Sequence, residues 1–397
     1  MMARQSIAMF LLQLSYPYDS IFTVGLGATA IQLGLVHSIG LAMGALLSPL
    51  AGLLIDRYGL KKVFLAAVAL LILSPLFYSI AWRWEIVIFA MLFYYAGFRM
   101  GGTSCTTVCA TSLSNVDRAK SMATCETMGA GAGLIAPLVG AVLVSIFGGV
   151  NVDGIRPLYY IRFAGYILMF GFIALTLVGI PPRKMIRHRT NYLKDFGELF
   201  QSGKNLKRWL LISSVMWLPV TVILPFTSWY ANEVKGAQEY VLGGMAAGAV
   251  LTQIVTAVPV GQLADRIGRK KVLYLMAPLC YASNLLLIFA PNPATLIIAG
   301  CLQGFYIVSM VVSGAMGAEL VPHDQMGRWQ GLLGLLCRGL MSAPMPVLGG
   351  VIWVTVGPSY VFVALIAIDL CIRIPALIGM PETLRAPQNR GRAQGRG

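Results

Sequence analysis

Apolar runs of about twenty residues recur along the whole chain, and this leaves few folds open to it. Coiled as an α-helix, a run of that length spans the hydrocarbon core of a bilayer. A backbone crossing lipid must also satisfy its hydrogen bonds internally, which helices do. Reading the runs between charged or Pro/Gly-rich breaks predicts twelve helices, near 4–24, 29–55, 63–81, 86–112, 119–147, 158–180, 209–231, 239–260, 272–290, 293–317, 329–355 and 359–380. Composition agrees: 11% of residues are charged and 57% hydrophobic, whereas soluble globular chains carry about 25% charged residues. A soluble enzyme with one core, a disordered chain and a disulfide scaffold are excluded. The expected fold class is an all-α polytopic membrane protein with 12 transmembrane helices.

The basic residues orient the helices. One set of loops holds Arg57, Lys61 and Lys62, Arg118 and Lys120, eight Lys/Arg between Arg183 and Arg208, Arg266 with Arg269 to Lys271, Arg328 and the arginines of the tail. The opposite loops hold Arg83, Arg156 and Lys235. The positive-inside rule then places both termini in the cytoplasm, in a multi-pass protein of the cell (plasma or inner) membrane. The net charge of +15 follows from this asymmetry, so the expected partner is the lipid bilayer and not nucleic acid. No signal peptide is expected, because the first run carries Asp19 and leads into the second without a small-residue cleavage site. Any cytosolic leader is minimal or lies outside the sequence. All seven cysteines lie in apolar runs without metal-type spacing, which predicts inert core thiols, no metal and no cofactor.

Self-similarity divides the chain in two. Residues 52–63, GLLIDRYGLKKV, return as 261–272, GQLADRIGRKKV, at an offset of 209. The same offset carries Gly27 onto Gly236, Ala28 onto Ala237, Leu33 onto Leu242, Gly34 onto Gly243, Pro137 onto Pro346 and Gly140 onto Gly349. One register held over separated blocks predicts two homologous six-helix halves of equal orientation, 1–180 and 209–380. Between them lies a hydrophilic loop, 181–208, in which Leu193, Phe196, Leu199 and Phe200 recur at helical spacing; it is expected to form a surface-lying amphipathic helix. A basic cytoplasmic tail, 381–397, follows the second half.

Two such halves with a G-x-L-x-D-R-x-G-x-K-K loop after helices 2 and 8 resemble the major facilitator superfamily. The resemblance implies a transporter that exposes a mid-membrane site alternately to each side. It also implies a conformational latch at Gly52, Asp56, Arg57 and Gly59, repeated at Gly261, Asp265, Arg266 and Gly268. Physically, Gly52 and Gly261 permit close helix approach, Gly59 and Gly268 a tight turn, and the carboxylates can face a helix N-terminus. Helix 5 resembles the drug–proton antiporter branch through Ala132, Ala136, Pro137 and Gly140, with alanine at four of that branch's glycine positions. Small size is kept, so close packing and a proline kink are expected there.

Ionisable residues within the spans are functional candidates because burying them in lipid is costly. At 1.5 Å per residue, Arg99 lies about 20 Å into its helix, and Arg338 and Asp369 lie roughly 14 Å into theirs. Asp19 and Arg99, on the cavity-lining helices 1 and 4 of the resembled fold, are the leading substrate or proton sites. The family's own helix-4 arginine slot falls near Phe93, so Arg99 is displaced from it. Glu126, Arg338 and Gln303 complete the candidates. Asp369 and Arg373, one turn apart, are expected to form a structural pair, and Arg162 to snorkel at the outer interface. Lining aromatics are sought among Tyr16, Tyr18, Trp217, Trp229, Tyr230, Phe305, Tyr306 and Met310.

The leading functional reading is a monomeric secondary active transporter, not an enzyme, exporting a lipophilic drug-like or metabolite small-molecule substrate with proton coupling. No phosphate-cradling loop supports nucleotide use. Uptake or exchange of a small organic anion held by Arg99 and Arg338 is the alternative. A membrane sensor or enzyme is the remote one, since no catalytic constellation is visible.

Overall fold

The computed structural model of the chain describes residues 2–112, 115–177, 204–320, 333–380 and 382. The expected amphipathic helix of the central loop and nearly all of the tail lie outside the described residues. The described elements are helical: Met2–Ser15, Asp19–Gly25, Ala30–Tyr58, Leu60–Ser79, Trp84–Ser112, Asn115–Ile146 and Val152–Thr176, then Lys204–Glu233, Glu239–Ile267, Arg269–Phe289, Pro293–Leu320, Met345–Thr355, Pro358–Ile368 and Ile374–Ile378. Among the described residues, nine helices are long and apolar enough to cross a membrane. Large apolar side chains such as Leu168, Leu175 and Phe289 point outward from the bundle, as a lipid-facing surface requires.

Three expected spans are interrupted, the twelfth by a π-type turn at Asp369–Arg373. The first is broken by a 3-10 turn at Tyr16–Tyr18, where Pro17 removes a backbone donor and tightens the coil. The eleventh begins in wide, π-type turns at Leu333–Leu340 and continues as Met345–Thr355. The sixth starts earlier than expected because Asn151 caps it, its side-chain oxygen accepting from Gly154 N at 2.7 Å. Helix Ala30–Tyr58 is opened by a capping box in which Gln32 N donates to Thr29 Oγ1 and Thr29 N donates to Gln32 Oε1. Gly59 and Gly268 join the helices flanking the two repeated loops at φ 85° and 107°, a backbone region that side-chain-bearing residues rarely adopt.

The repeat explains how the halves meet. Helix Ala30–Tyr58 packs on Met345–Thr355, and its repeat-equivalent Glu239–Ile267 packs on Asn115–Ile146. A Cβ at Gly34 would collide with the Pro346 carbonyl. A Cβ at Gly243 would stand 2.7 Å from the Pro137 carbonyl oxygen. Since the offset carries Gly34 onto Gly243 and Pro137 onto Pro346, this is one contact made twice, about a pseudo-twofold axis between the halves. Within each half, Gly140 lies against the Leu14 carbonyl and Gly349 against Val222 and Phe226. Small residues thus bring helix backbones together where lipid supplies no hydrophobic drive for association.

Candidate functional site

A cavity of about 420 Å³ lies between the two halves. Leu12, Gln13 and Tyr16 enter it from the first helix, Leu41 from the second, and Tyr94, Tyr95, Phe98 and Arg99 from the fourth. The second half supplies Trp217, Thr221 and Thr227, then Leu242 and Met245, then Gln303 and Tyr306. The wall is aromatic and aliphatic, with a few fixed polar groups. Gln303 Nε2 donates to Thr227 Oγ1 at 3.3 Å. Tyr306 OH accepts from Asn284 Nδ2 at 3.0 Å, which fixes the ring edge facing the space. Arg99 packs its stem near Gly44 and, among the described lining residues, is the only charged one.

Behind this wall is a chamber of about 60 Å³ that shares Leu12, Tyr16, Tyr94 and Tyr95 with the cavity. Asp19 lines it. Its Oδ1 accepts from Ser15 Oγ at 2.8 Å and from Tyr159 OH at 3.0 Å, and Arg162 Nη1 stands 3.6 Å away. Arg162 Nη1 also donates to Ser15 Oγ. The Arg162 side chain is 1% exposed, so it does not snorkel. Its helix starts at Val152 and not near 158, so Arg162 lies about 15 Å in, at 1.5 Å per residue, and not at the interface. The Asn151 cap, followed by Asp153 in the first turn, was the sequence signal for that earlier start.

The structure brings Arg99 and Gln303 to the central cavity and Asp19 to the adjoining chamber. Asp369 and Arg373 sit apart from both, in a five-residue π-type turn. Arg373 Nη2 donates to Asp369 Oδ2 at 2.6 Å, Arg373 Nε donates to Oδ1, and Tyr281 OH donates to Oδ2. Of the sought aromatics, Tyr16, Trp217 and Tyr306 line the cavity. Tyr18, Trp229 and Tyr230 belong to the packed core, with Trp229 stacked on Trp353 at 4.0 Å. The side chains of Glu126 and Arg338 lie outside the described residues. Tyr94, Tyr95, Thr227 and the pairing of Arg162 with Asp19 were not among the features singled out in the sequence.

In the repeated loops, the Asp56 side chain and the surroundings of Gly52 are not among the described residues, and Arg57 lies over the Tyr58 ring at 5.2 Å. Gly261 differs from expectation: among the described residues, nothing stands within 4 Å of where its Cβ would be, so none of them makes a close approach there in this conformation. Asp265 is 67% exposed and pairs with Arg269, one turn on, at 3.6 Å. The start of helix Arg269–Phe289 is instead met by Glu382, whose Oε1 accepts from Arg269 N at 3.0 Å and Lys270 N at 3.4 Å. Lys270 Nζ donates in turn to the Ile378 and Met380 carbonyls at 2.9 and 2.8 Å.

Two pseudo-symmetric helical halves around a mid-bundle cavity define a polytopic membrane carrier. The chain belongs to the Major Facilitator Superfamily, whose sequence pattern it matches over residues 1–251 and 209–395. It is 28% identical over 258 residues to the "Multidrug resistance protein MdtG" of Rahnella sp. (strain Y9602), covering 62% of this chain and 58% of that protein. It is 27% identical over 253 residues to the protein of the same name from Salmonella choleraesuis (strain SC-B67), covering 60% and 58%. The matched part is thus under two thirds of those relatives' length. Among solved structures, nucleoside transporter NupG superposes with a TM-score of 0.74 at 13% identity, covering 95% of this chain and 99% of that one. A D-xylose-proton symporter gives 0.70 at 12% identity, covering 96% and 98%. These two likenesses concern the fold.

Proposed function

We propose that the protein is a proton-driven exporter that carries a lipophilic, drug-like solute through the central cavity by alternating access, as a monomer with both termini cytoplasmic. The cavity itself carries the reading. Its volume is that of a drug-sized binding site, its wall is mostly aromatic and aliphatic, and Gln303, Thr227 and Arg99 offer orientation to a few polar groups. No carboxylate lines it among the described residues, which favours a neutral or weakly anionic solute over a cation. The name of the relatives from Rahnella and Salmonella supports export over uptake.

Asp19 is the proposed proton site. With Arg162 it forms a charge-neutral pair; a proton on Asp19 leaves Arg162 as an uncompensated buried cation, a change that favours a rehydrated conformation. The repeated loops, Asp56 with Arg57 and Asp265 with Arg266, are the proposed latch, and Glu126 and Arg338 the proposed gate residues. Arg99 favours a second reading, exchange of an organic anion. The test is transport by purified protein in liposomes with an imposed pH gradient. Export requires gradient-driven flux of a neutral lipophilic dye that is lost in Asp19→Asn. Dye that stays put while a lipophilic carboxylate exchanges without a gradient would establish the second reading and sink the first.

A further inference from the structure

The 60 Å³ chamber beside Asp19 has more polar surface than the protein satisfies. Among the described residues, His37 Nε2, Ser74 Oγ and Arg162 Nε are buried without a protein hydrogen-bond partner. So is Tyr78 OH, which lies beside Thr23 without a hydrogen bond of good geometry. His37, Ser74, Tyr78 and Arg162 all line the chamber, and their residues are 7%, 1%, 1% and 1% exposed. These groups come from helices Ala30–Tyr58, Leu60–Ser79 and Val152–Thr176, so no single local distortion accounts for them. Tyr78 cannot turn elsewhere: its ring is stacked on Tyr159 at 4.4 Å and flanked by Phe22 at 6.0 Å. An orphaned buried polar group is destabilising, and a dry chamber would carry several at once.

We propose that the chamber is a water site. The 60 Å³ chamber exceeds the roughly 10–15 Å³ that one water requires, and each water needs two to four polar partners. His37, Ser74 and Tyr78 supply them on one side and the Asp19 carboxylate on the other. The consequence for transport rests on the proposed proton role of Asp19. Tyr16, Tyr94 and Tyr95 line both spaces, so the waters connect Asp19 to the central cavity through the tyrosine wall. A proton entering from the cavity passes along them, each water losing one O–H bond as it gains another. It ends on an Asp19 oxygen.

Radiolytic hydroxyl-radical labelling of the intact protein in nanodiscs reads bound water directly, because radicals form where water sits. Tyr230 is the control: it is 1% exposed but hydrogen-bonded to Ser359 inside the packed core. Tyr78 and His37 are expected to be oxidised several-fold faster than Tyr230, and Ser74→Leu, which fills the chamber, to abolish the difference. Wild-type labelling of Tyr78 as slow as that of Tyr230 overturns the water site, whether or not Ser74→Leu folds. Thermal stability that rises with sodium but not with choline at equal ionic strength also overturns it, in favour of a cation. If labelling persists in Asp19→Asn while proton exchange is also unchanged, the water site stands and the coupling role of Asp19 falls.

Discussion

Replacing Gly34 and Gly243 by alanine perturbs the two equivalent contacts between the halves and little else. At Gly34 the new Cβ collides with the Pro346 carbonyl and lies 2.8 Å from Val347 Cα; at Gly243 it lies 2.7 Å from the Pro137 carbonyl oxygen and 2.9 Å from Ala141 Cβ. Most of these neighbours are backbone, so no rotamer change relieves them and the helices must part. Overpacking of this kind costs about 1–3 kcal/mol per site. The gain in helix propensity from Gly to Ala, about 1 kcal/mol, is the same in any conformation that keeps the helices and drops out of the comparison. If alternating access separates these helices, the strain falls on one conformation alone. About 2 kcal/mol then shifts the conformational ratio about 30-fold, and the pair, acting at separate contacts, by up to about a thousandfold. Spin labels at Ile80 and Phe289, equivalent under the repeat offset and both exposed, report the separation of the halves at this end of the bundle. The double variant should move the distance distribution to a longer, opened population that is minor in the parent. A lowered thermal midpoint with an unchanged distance distribution would refute the argument, because the contact would then persist through the cycle.

Four further outcomes follow from the geometry. Arg162→Met leaves the Asp19 carboxylate buried without its cation and should destabilise the fold by about 3–5 kcal/mol, read as thermal unfolding in detergent, with partial recovery in the Asp19→Asn/Arg162→Met double variant. Asp369→Asn should cost stability in the same assay by weakening its contacts with Arg373 and Tyr281, yet leave proton-driven transport per folded molecule unchanged. Gln303→Leu should weaken solute binding about fivefold, the worth of one hydrogen bond of about 1 kcal/mol, in a binding titration, with no change in the thermal midpoint. Glu382→Ala should remove about 1 kcal/mol of capping from helix Arg269–Phe289, seen as faster amide hydrogen exchange at Arg269 and Lys270.

The scaffold was legible because its signals are periodic and local. Apolar runs located the helices to within several residues, and the offset of Gly34, Pro137 and Gly140 from their partners marked the residues that later proved to join helix backbones. Side-chain partnerships across the bundle were not legible. Pairing Arg162 with Asp19 requires the rotation of two helices about their axes, and an error of six residues in one helix start was enough to send Arg162 to the interface. Gly261 and Asp265 show a different gap. A latch would engage in one conformation of a cycle, whereas one structure holds one conformation, and here neither meets a facing helix among the described residues. Tyr94 and Tyr95 went unranked because an aromatic pair in an apolar helix looks the same in sequence whether it packs or lines a cavity.

The repeat also shows what the two halves do not share. The offset of 209 that duplicates the Gly–Pro contacts carries Asp19 onto Ser228, Arg162 onto Cys371, Arg99 onto Val308 and Gln303 back onto Tyr94. None of the charged groups near the central cavity has a counterpart of like charge. A symmetric scaffold and an asymmetric interior serve different ends. Equivalent contacts allow two halves to move against each other by equal amounts, which a two-sided cycle needs. A symmetric charge pattern would instead place two buried ion pairs beside one solute path and double the desolvation cost. The second half keeps its own pair, Asp369 with Arg373, but holds it in a turn that lines neither the cavity nor the chamber and is engaged by its own helix and Tyr281. On this argument, moving the Asp19–Arg162 chemistry to the equivalent positions of the second half, Ser228→Asp with Cys371→Arg, would not restore transport to an Asp19→Asn protein even if it folds. Position 228 lines the central cavity directly, so a proton placed there would not be held apart from the solute.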